Sequence, residues 1–326
     1  MCRLKKSIYG LKQAGRNWNK LFDSWLKDNN FRASKVDPCL YILNTNESTK
    51  FLALAIYVDD IISVDNMPEL REKLVADLSK KSKLVDLQEA KWVLGTRIQQ
   101  SEGSISIDQE KYLNDVLERF GMRDAKPAKT PAVAGGATVE KSEPYKNRSE
   151  YQSLVGSLIY LAVVTRPDIS FAVGKAGQAM ANPTDMDWIS AKRILRFAKL
   201  NKDAGPVYSN TGNQDLTGYS DSDWGGDLKT RRSTTGYIFT LEGAAISWKS
   251  KRQTTVAISS TEAEYMAGCA TAQEAIYLRM LLKDLGREQK EPTLIYQDNQ
   301  GAIAIGKAIT SNRRAKHMNI KYHCNN

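Results

Sequence analysis

Three acidic motifs follow one another in the last third of the chain: Ser220-Asp221-Ser222-Asp223-Trp224, Ser260-Thr261-Glu262-Ala263-Glu264-Tyr265-Met266-Ala267 and Gln297-Asp298-Asn299-Gln300. An aspartate after an apolar run, a glutamate on a helix and an aspartate ending a second strand make a carboxylate cluster that suits divalent ions. Mg²⁺ prefers hard oxygen ligands. Two such ions, roughly 3.5–4 Å apart, activate a water and stabilise the leaving oxygen when a phosphodiester is cut. A second acidic site, Tyr57-Val58-Asp59-Asp60, lies within the apolar run Phe51–Val64. Two adjacent carboxylates on a hairpin turn can bind a metal that activates a primer 3′-hydroxyl, although the same residues also make a plain Asp-Asp turn. Together the two sites point to a polymerase joined to a nuclease.

The elements that must hold these residues can be read from periodicity. Residues 16–30 show helical spacing, with Trp18, Leu21, Phe22 and Trp25 on one face. Phe51–Tyr57 and Ile61–Val64 read as strands on either side of Asp59 and Asp60. A helix is expected from Pro68 to about Lys81, with Leu70, Leu74 and Leu78 at i, i+4, i+8. Lys91–Gln99 and Ser104–Ile107 read as a hairpin closed by Glu102-Gly103, and 108–120 as a helix. Residues 124–149, with Pro127, Pro131, Gly135, Gly136 and Pro144, read as a linker. Helices over 149–164, 167–181 and 184–200 follow, the last with a basic face of Lys192, Arg193, Arg196 and Lys199. Gly205–Asn213 reads as a loop. Strands over 216–221, 235–241 and 244–248, a helix over 260–285, a strand over 293–297 and a helix over 299–306 complete a mixed α/β order. Asp221 and Asp298 would then end neighbouring strands, and Glu264 would lie about one turn into a helix. Helical phase puts Glu262 and Glu264 both near the edge of the apolar face and does not choose between them.

Bulk properties narrow the function classes. The chain has 326 residues, 41% of them hydrophobic, enough for two or three domains with packed cores. The net charge is +10. Residues 1–35 carry nine Lys/Arg against two acids, and residues 305–326 carry five against none. Basic ends around acidic motifs suit a polyanion held while metals act on it. Lys249, Lys251 and Arg252, just after a strand, are candidate phosphate contacts. The four cysteines form no CxxC pair and there are only two histidines, which argues against a zinc site or a disulfide framework. No apolar run reaches the ~18 residues of a membrane span, and no secretion signal is read at the start. An intracellular protein is expected.

The motifs also carry a resemblance. SIYGLKQAGRNW at 7–18, YVDD at 57–60, LGTRI at 94–98 and YQSLVGSLIYLAVVTRPDISFAV at 151–173 are similar to the Pol polyprotein of copia-type long-terminal-repeat retrotransposons. So are AKRILRF at 191–197, GYSDSDWGGD at 218–227, STTGYIF at 233–239, WKSKRQTTVAISSTEAEYMA at 248–267, DNQGAIAI at 298–305 and the KHMNIKYH phrase from 316. The resemblance covers nearly the whole chain. It implies a reverse transcriptase, a connecting region and a ribonuclease H: a partial palm, a helical connection, and a mixed sheet with helices, an α/β and α+β multidomain fold. The expected boundaries are 1–125, 126–212 and 213–326.

Carried over by residue, the resemblance makes Asp221, Glu264 and Asp298 the ribonuclease H acids, with EYMA selecting Glu264. Asp59 becomes a metal ligand of the reverse transcriptase, with Asp60 beside it. Gln13 falls near the incoming nucleotide, and Leu94 and Gly95 where the family grips the primer. The implied cofactor is Mg²⁺, with Mn²⁺ as a substitute. The implied partners are an RNA–DNA hybrid and a template-primer, other Pol or Gag products, and no membrane; cytoplasmic particles or the nucleus would be the location. Three positions depart from the pattern. A further polymerase aspartate precedes the SIYGLKQ segment in the family, and the chain begins after it, so no polymerase activity is expected from this chain alone. Gly15 stands where proline is usual. Asn319 stands where a fourth ribonuclease H acid is usual, which keeps an oxygen ligand and loses a charge. The alternative expectation is a decayed product that binds nucleic acid without cutting it.

Overall fold

A computed structural model describes residues 7–8, 10–45, 50–81, 84–133 and 142–307. They fall into two compact units, one drawn from residues up to 90 together with 276–290, the other from 91–275 together with residues from 291 on. Three four-stranded sheets and their helices make a mixed α/β and α+β architecture.

The first unit contains α1 (Ala14–Asp28), β1 (Phe31–Ala33), β2 (Leu40–Leu43), β3 (Leu52–Tyr57), β4 (Asp60–Asp65) and α2 (Pro68–Lys81). The strands form an antiparallel sheet in chain order. Phe22, Trp25 and Leu26 of α1, at i, i+3 and i+4, pack with Leu74 and Leu78 of α2 against Leu52 and Leu54. The apolar stripe of α1 is rotated from the expected one: Leu21 is 70% exposed and Leu26 is fully buried. Strands β1 and β2, of three and four residues, were not expected, because so short a run has no period-two signature.

Asp284, which ends the helix Ser260–Asp284, fastens β1 within this unit. Its carboxylate accepts from Arg32 Nη1 at 3.0 Å, Ser34 Oγ at 2.7 Å and the Lys35 N–H at 3.0 Å, and its carbonyl accepts from Arg32 Nη2. Burial pushes the Asp284 carboxyl up, but the Ser34 hydroxyl, Arg32 and the Lys35 N–H together hold it below its ordinary value.

The second unit begins with β5 (Trp92–Val93), β6 (Thr96–Ser101) and β7 (Ser104–Asp108). The expected strand Lys91–Gln99 is broken at Leu94 and Gly95, whose φ values of +49° and +74° make a two-residue hairpin turn. Within the expected loop 205–213, β8 (Val207–Ser209) adds to the far edge of β7. Gly205 allows this approach, since a Cβ there would lie 1.9 Å from the Ile107 carbonyl oxygen.

Four helices form the main core of this unit: α3 (Glu110–Arg119), α4 (Arg148–Val164), α5 (Ser170–Gln178) and α6 (Asp185–Leu200). The expected helix 167–181 opens instead with a 3-10 turn at Pro167–Ile169. Thr184 and Asp187 close a capping box at the start of α6. The buried Arg166 guanidinium joins the pieces, donating to both Asp168 oxygens and to the carbonyls of Ala198 and Asn201 at the end of α6. The basic face of α6 has an internal role. Arg193 donates to Thr130, Arg196 to the Lys126 carbonyl, and Lys199 to the carbonyls of Arg123 and Ala125. These cations hold the first part of the expected linker against the helix.

The last sheet is built from β9 (Thr217–Ser222), β10 (Thr234–Leu241), β11 (Ala244–Arg252) and β12 (Leu294–Tyr296), in the order β11-β10-β9-β12. The β9–β12 pair is parallel and the others are antiparallel. The helix α7 (Ser260–Asp284) makes the crossover that a parallel pair requires, and α8 (Gln300–Lys307) follows β12. No described helix is long and apolar enough to cross a membrane.

Asp284→Asn should destabilise β1 and β2 by about 1–2 kcal/mol, the usual worth of charge-assisted hydrogen bonds discounted for Arg32's exposure. Because the native carboxyl titrates below its unfolded value, that stability is complete above the ordinary aspartate range and is lost as pH falls through the depressed value. Hydrogen exchange of the β1 and β2 amides in both proteins, followed towards low pH, measures the difference.

Candidate metal centre

Asp221 lies near the end of β9, an interior strand; Asp298 lies two residues beyond β12, and Glu264 lies in the second turn of α7. One carboxylate oxygen from each lies within 4.8 Å of the others. The residues beside Asp221 leave space around it, since its partner on β10 is Gly236. Asp221 and Asp298 are exposed, whereas Glu264 is 5% exposed and held rigidly. Its Oε1 accepts from the Ser222 N–H at 3.1 Å. Its Oε2 accepts from Gln297 Nε2 at 3.1 Å, and the same amide donates to the Glu264 carbonyl at 2.7 Å. Burial pushes the Glu264 carboxyl above its ordinary value, and the charges of Asp221 and Asp298 push the same way; the Gln297 and Ser222 donors offset part of this. Three hard oxygen donors converging around an anion that burial disfavours fit a divalent cation.

The structure separates acids that sequence phase left together. Glu262 accepts from the Ile258 N–H at 2.7 Å while its own N–H donates to Ser259 Oγ at 3.1 Å, so Ser259 caps α7 and Glu262 ties down the residue ahead of the cap. Asp223, in the same motif as Asp221, accepts from the Thr234 N–H at 2.6 Å and braces β10. Gln297 has no role that its motif alone would assign. A single amide bonding both the backbone and the side chain of Glu264 leaves no trace in periodicity, so only its position beside Asp298 hinted at it.

Asp59 and Asp60 sit on the exposed β3–β4 turn, where Tyr57 pairs with Asp60. Val58 has φ +57°, a strained value for a β-branched residue, and its carbonyl accepts from Trp18 Nε1 of α1 at 3.0 Å. Among the described residues no third acidic, histidine or cysteine ligand joins this pair. Gln13 is the exposed residue preceding α1. Leu94 and Gly95 form the β5–β6 turn, and the Leu94 carbonyl accepts from the Tyr160 hydroxyl of α4. Lys249 and Lys251 are exposed on β11, while Arg252 is paired with Asp227 and also donates to Gln178. Asn319 lies outside the described residues.

Mg²⁺ should raise the melting temperature of the full chain, by an amount equivalent to about 2.7 kcal/mol at a hundred times its dissociation constant. Asp298→Asn should shrink the shift. Metal-free stability should decline as pH rises from the ordinary glutamate range through the raised Glu264 value, because the folded state binds that proton more tightly. Metal binding needs the ionised carboxylate, so the Mg²⁺ shift should fade as pH is lowered through the same interval. Thermal melts with Mg²⁺ or EDTA at several pH values read all three effects.

A family model described as reverse transcriptase (RNA-dependent DNA polymerase) matches residues 1–134. The chain is 42% identical to the retrovirus-related Pol polyprotein from transposon TNT 1-94 of Nicotiana tabacum, over 99% of its own length and 25% of that protein. It is 36% identical to the corresponding polyprotein from transposon RE2 of Arabidopsis thaliana, over 99% of its length and 22% of that protein. An uncharacterized mitochondrial protein of Arabidopsis thaliana is 38% identical over 68% of the chain and 92% of its own length. The chain thus spans about a quarter of the Pol polyproteins it matches. With a reverse-transcriptase match at one end and similarity to Pol along nearly all of its length, the chain belongs to the Pol family of copia-type retrotransposons.

Proposed function

We propose that residues 213–326 act as a ribonuclease H that hydrolyses the RNA strand of an RNA–DNA hybrid, and that residues 1–125 are a reverse-transcriptase part joined to it through 126–212. The observation that carries this reading is the convergence of Asp221, Glu264 and Asp298 within 4.8 Å. Asp221, Glu264 and Asp298 would hold Mg²⁺, or Mn²⁺ in its place; a bound divalent ion supplies an activated water and charge neutralisation at the phosphate. The chain's own part is positioning. Ser222 and Gln297 fix both oxygens of Glu264, and α7 and β9 fix the two sides of the cluster. The open surface beside Gly236 leaves Asp221 accessible to a backbone. Hybrid recognition would act through the backbone and the 2′-hydroxyl rather than through sequence, with Lys249 and Lys251 as exposed phosphate contacts.

Asp59 and Asp60, without a third acidic partner among the described residues, would hold polymerase metals poorly. No DNA synthesis is proposed from this chain alone. Gln13, Leu94 and Gly95 would contact a template-primer only as parts of a more complete polymerase.

The test is cleavage of a labelled RNA–DNA hybrid by the full chain with Mg²⁺ and then Mn²⁺. Asp221→Asn, Glu264→Gln and Asp298→Asn should each lower the rate by at least about 100-fold, more than loss of an outer-shell partner costs, with circular dichroism unchanged. Full activity in any of the three misplaces the site. Hybrid binding without cleavage by the unsubstituted chain would establish the binding-only alternative.

A further inference from the structure

Two adjoining clefts in the second unit share Phe171, Thr234 and Ser250 in their walls. One opens on Asp221, and the other is ringed by Lys175, Arg232, Lys251 and Arg252. The wall facing the sheet is α5, which precedes the sheet by some forty residues of chain. Gly174 brings the helix close: a Cβ there would stand 3.5 Å from the Ser250 carbonyl oxygen. On the same helix, Lys175 Nζ lies 5.5 Å from the centre of the Phe171 ring and reaches the Gly226 carbonyl only at 3.5 Å, which leaves its ammonium with donors to spare. Asp227 neutralises Arg252. The net positive charge of the cleft therefore comes from Lys175, Arg232 and Lys251, none of which has an ion-pair partner among the described residues.

We propose that α5 forms the second wall of a nucleic-acid channel leading to the acidic cluster, with Lys175 contacting a backbone phosphate and the exposed Phe171 ring bounding the path between the two clefts. This rests on the hydrolytic reading above. A cluster of carboxylates repels a polyanion, so cations nearby must offset the repulsion if a strand is to rest there. The continuity of the basic cleft with the one at Asp221 favours an extended chain of phosphates over a single small anion. Phe171, 49% exposed at the junction, offers a flat face to a base or sugar.

The experiment measures binding of a labelled RNA–DNA hybrid to the full chain in EDTA across a salt series, then steady-state cleavage in Mg²⁺. Lys175→Ala should reduce the slope of log K against log salt by about 0.9, one phosphate contact. It should also raise KM several-fold with kcat unchanged. Lys175→Arg should restore both, and thermal melts of the two variants should match the unsubstituted chain. An unchanged slope and KM in a folded Lys175→Ala protein overturns the channel, even if Asp298→Asn still abolishes cleavage and so upholds the hydrolytic reading. A reduced slope without any cleavage by the unsubstituted chain supports the channel and removes the hydrolysis. No salt-dependent binding by the unsubstituted chain overturns the channel outright.

Discussion

A buried carboxylate has to be compensated, and α7 and the last sheet are arranged around how they compensate Glu264. Its two oxygens are tied to different strands, one directly to the β9 backbone and one through Gln297 to the segment after β12. α7 is thereby locked in rotation and height against the sheet, and the ends of two strands are brought beside it. The ties do not neutralise the charge, and the carboxyl stays above its ordinary value because burial and two neighbouring aspartates outweigh two neutral donors. The same constraint that orders the helix leaves a local deficit of positive charge.

The surrounding polar groups divide between bracing and exposure. Glu262 ties down Ile258 ahead of α7, Asp223 braces β10, and Asp227 is paired with Arg252. Asp221 and Asp298 remain at the surface. The cations divide in the same way. Three on α6 bind carbonyl oxygens of residues 123–130, and Arg166 is buried among Asp168 and the end of α6, while Lys249 and Lys251 stay exposed on β11. Net charge alone therefore overstates what is available to a polyanion.

Much of this arrangement was legible in the sequence, for definite reasons. The helices carrying Leu74 and Leu78 or Leu154 and Leu158 repeat their apolar residues at helical spacing, and the strand leading to Asp59 is an apolar run ended by acids. Asp221 and Asp298 were singled out by order and context, and Glu264 by the EYMA phrase that the resemblance supplies. What stayed hidden depends on tertiary contact. β1, β2 and β8 are too short to show a period. Glu262 and Glu264, two residues apart on α7 and each near an edge of its apolar face, are told apart by what faces them. The α6 cations read as a solvated face until the carbonyls of the preceding segment are seen beneath them.

The parallel pairing of β12 with β9 has a kinetic side. Asp221 and Asp298 are separated by β10, β11 and the whole of α7, the long crossover that a parallel pair requires. Loop closure of that length is costly before the contacts that reward it exist. The third ligand of the cluster is thus held by the pairing of greatest sequence separation in its sheet, so whatever loosens β12 also opens the cluster.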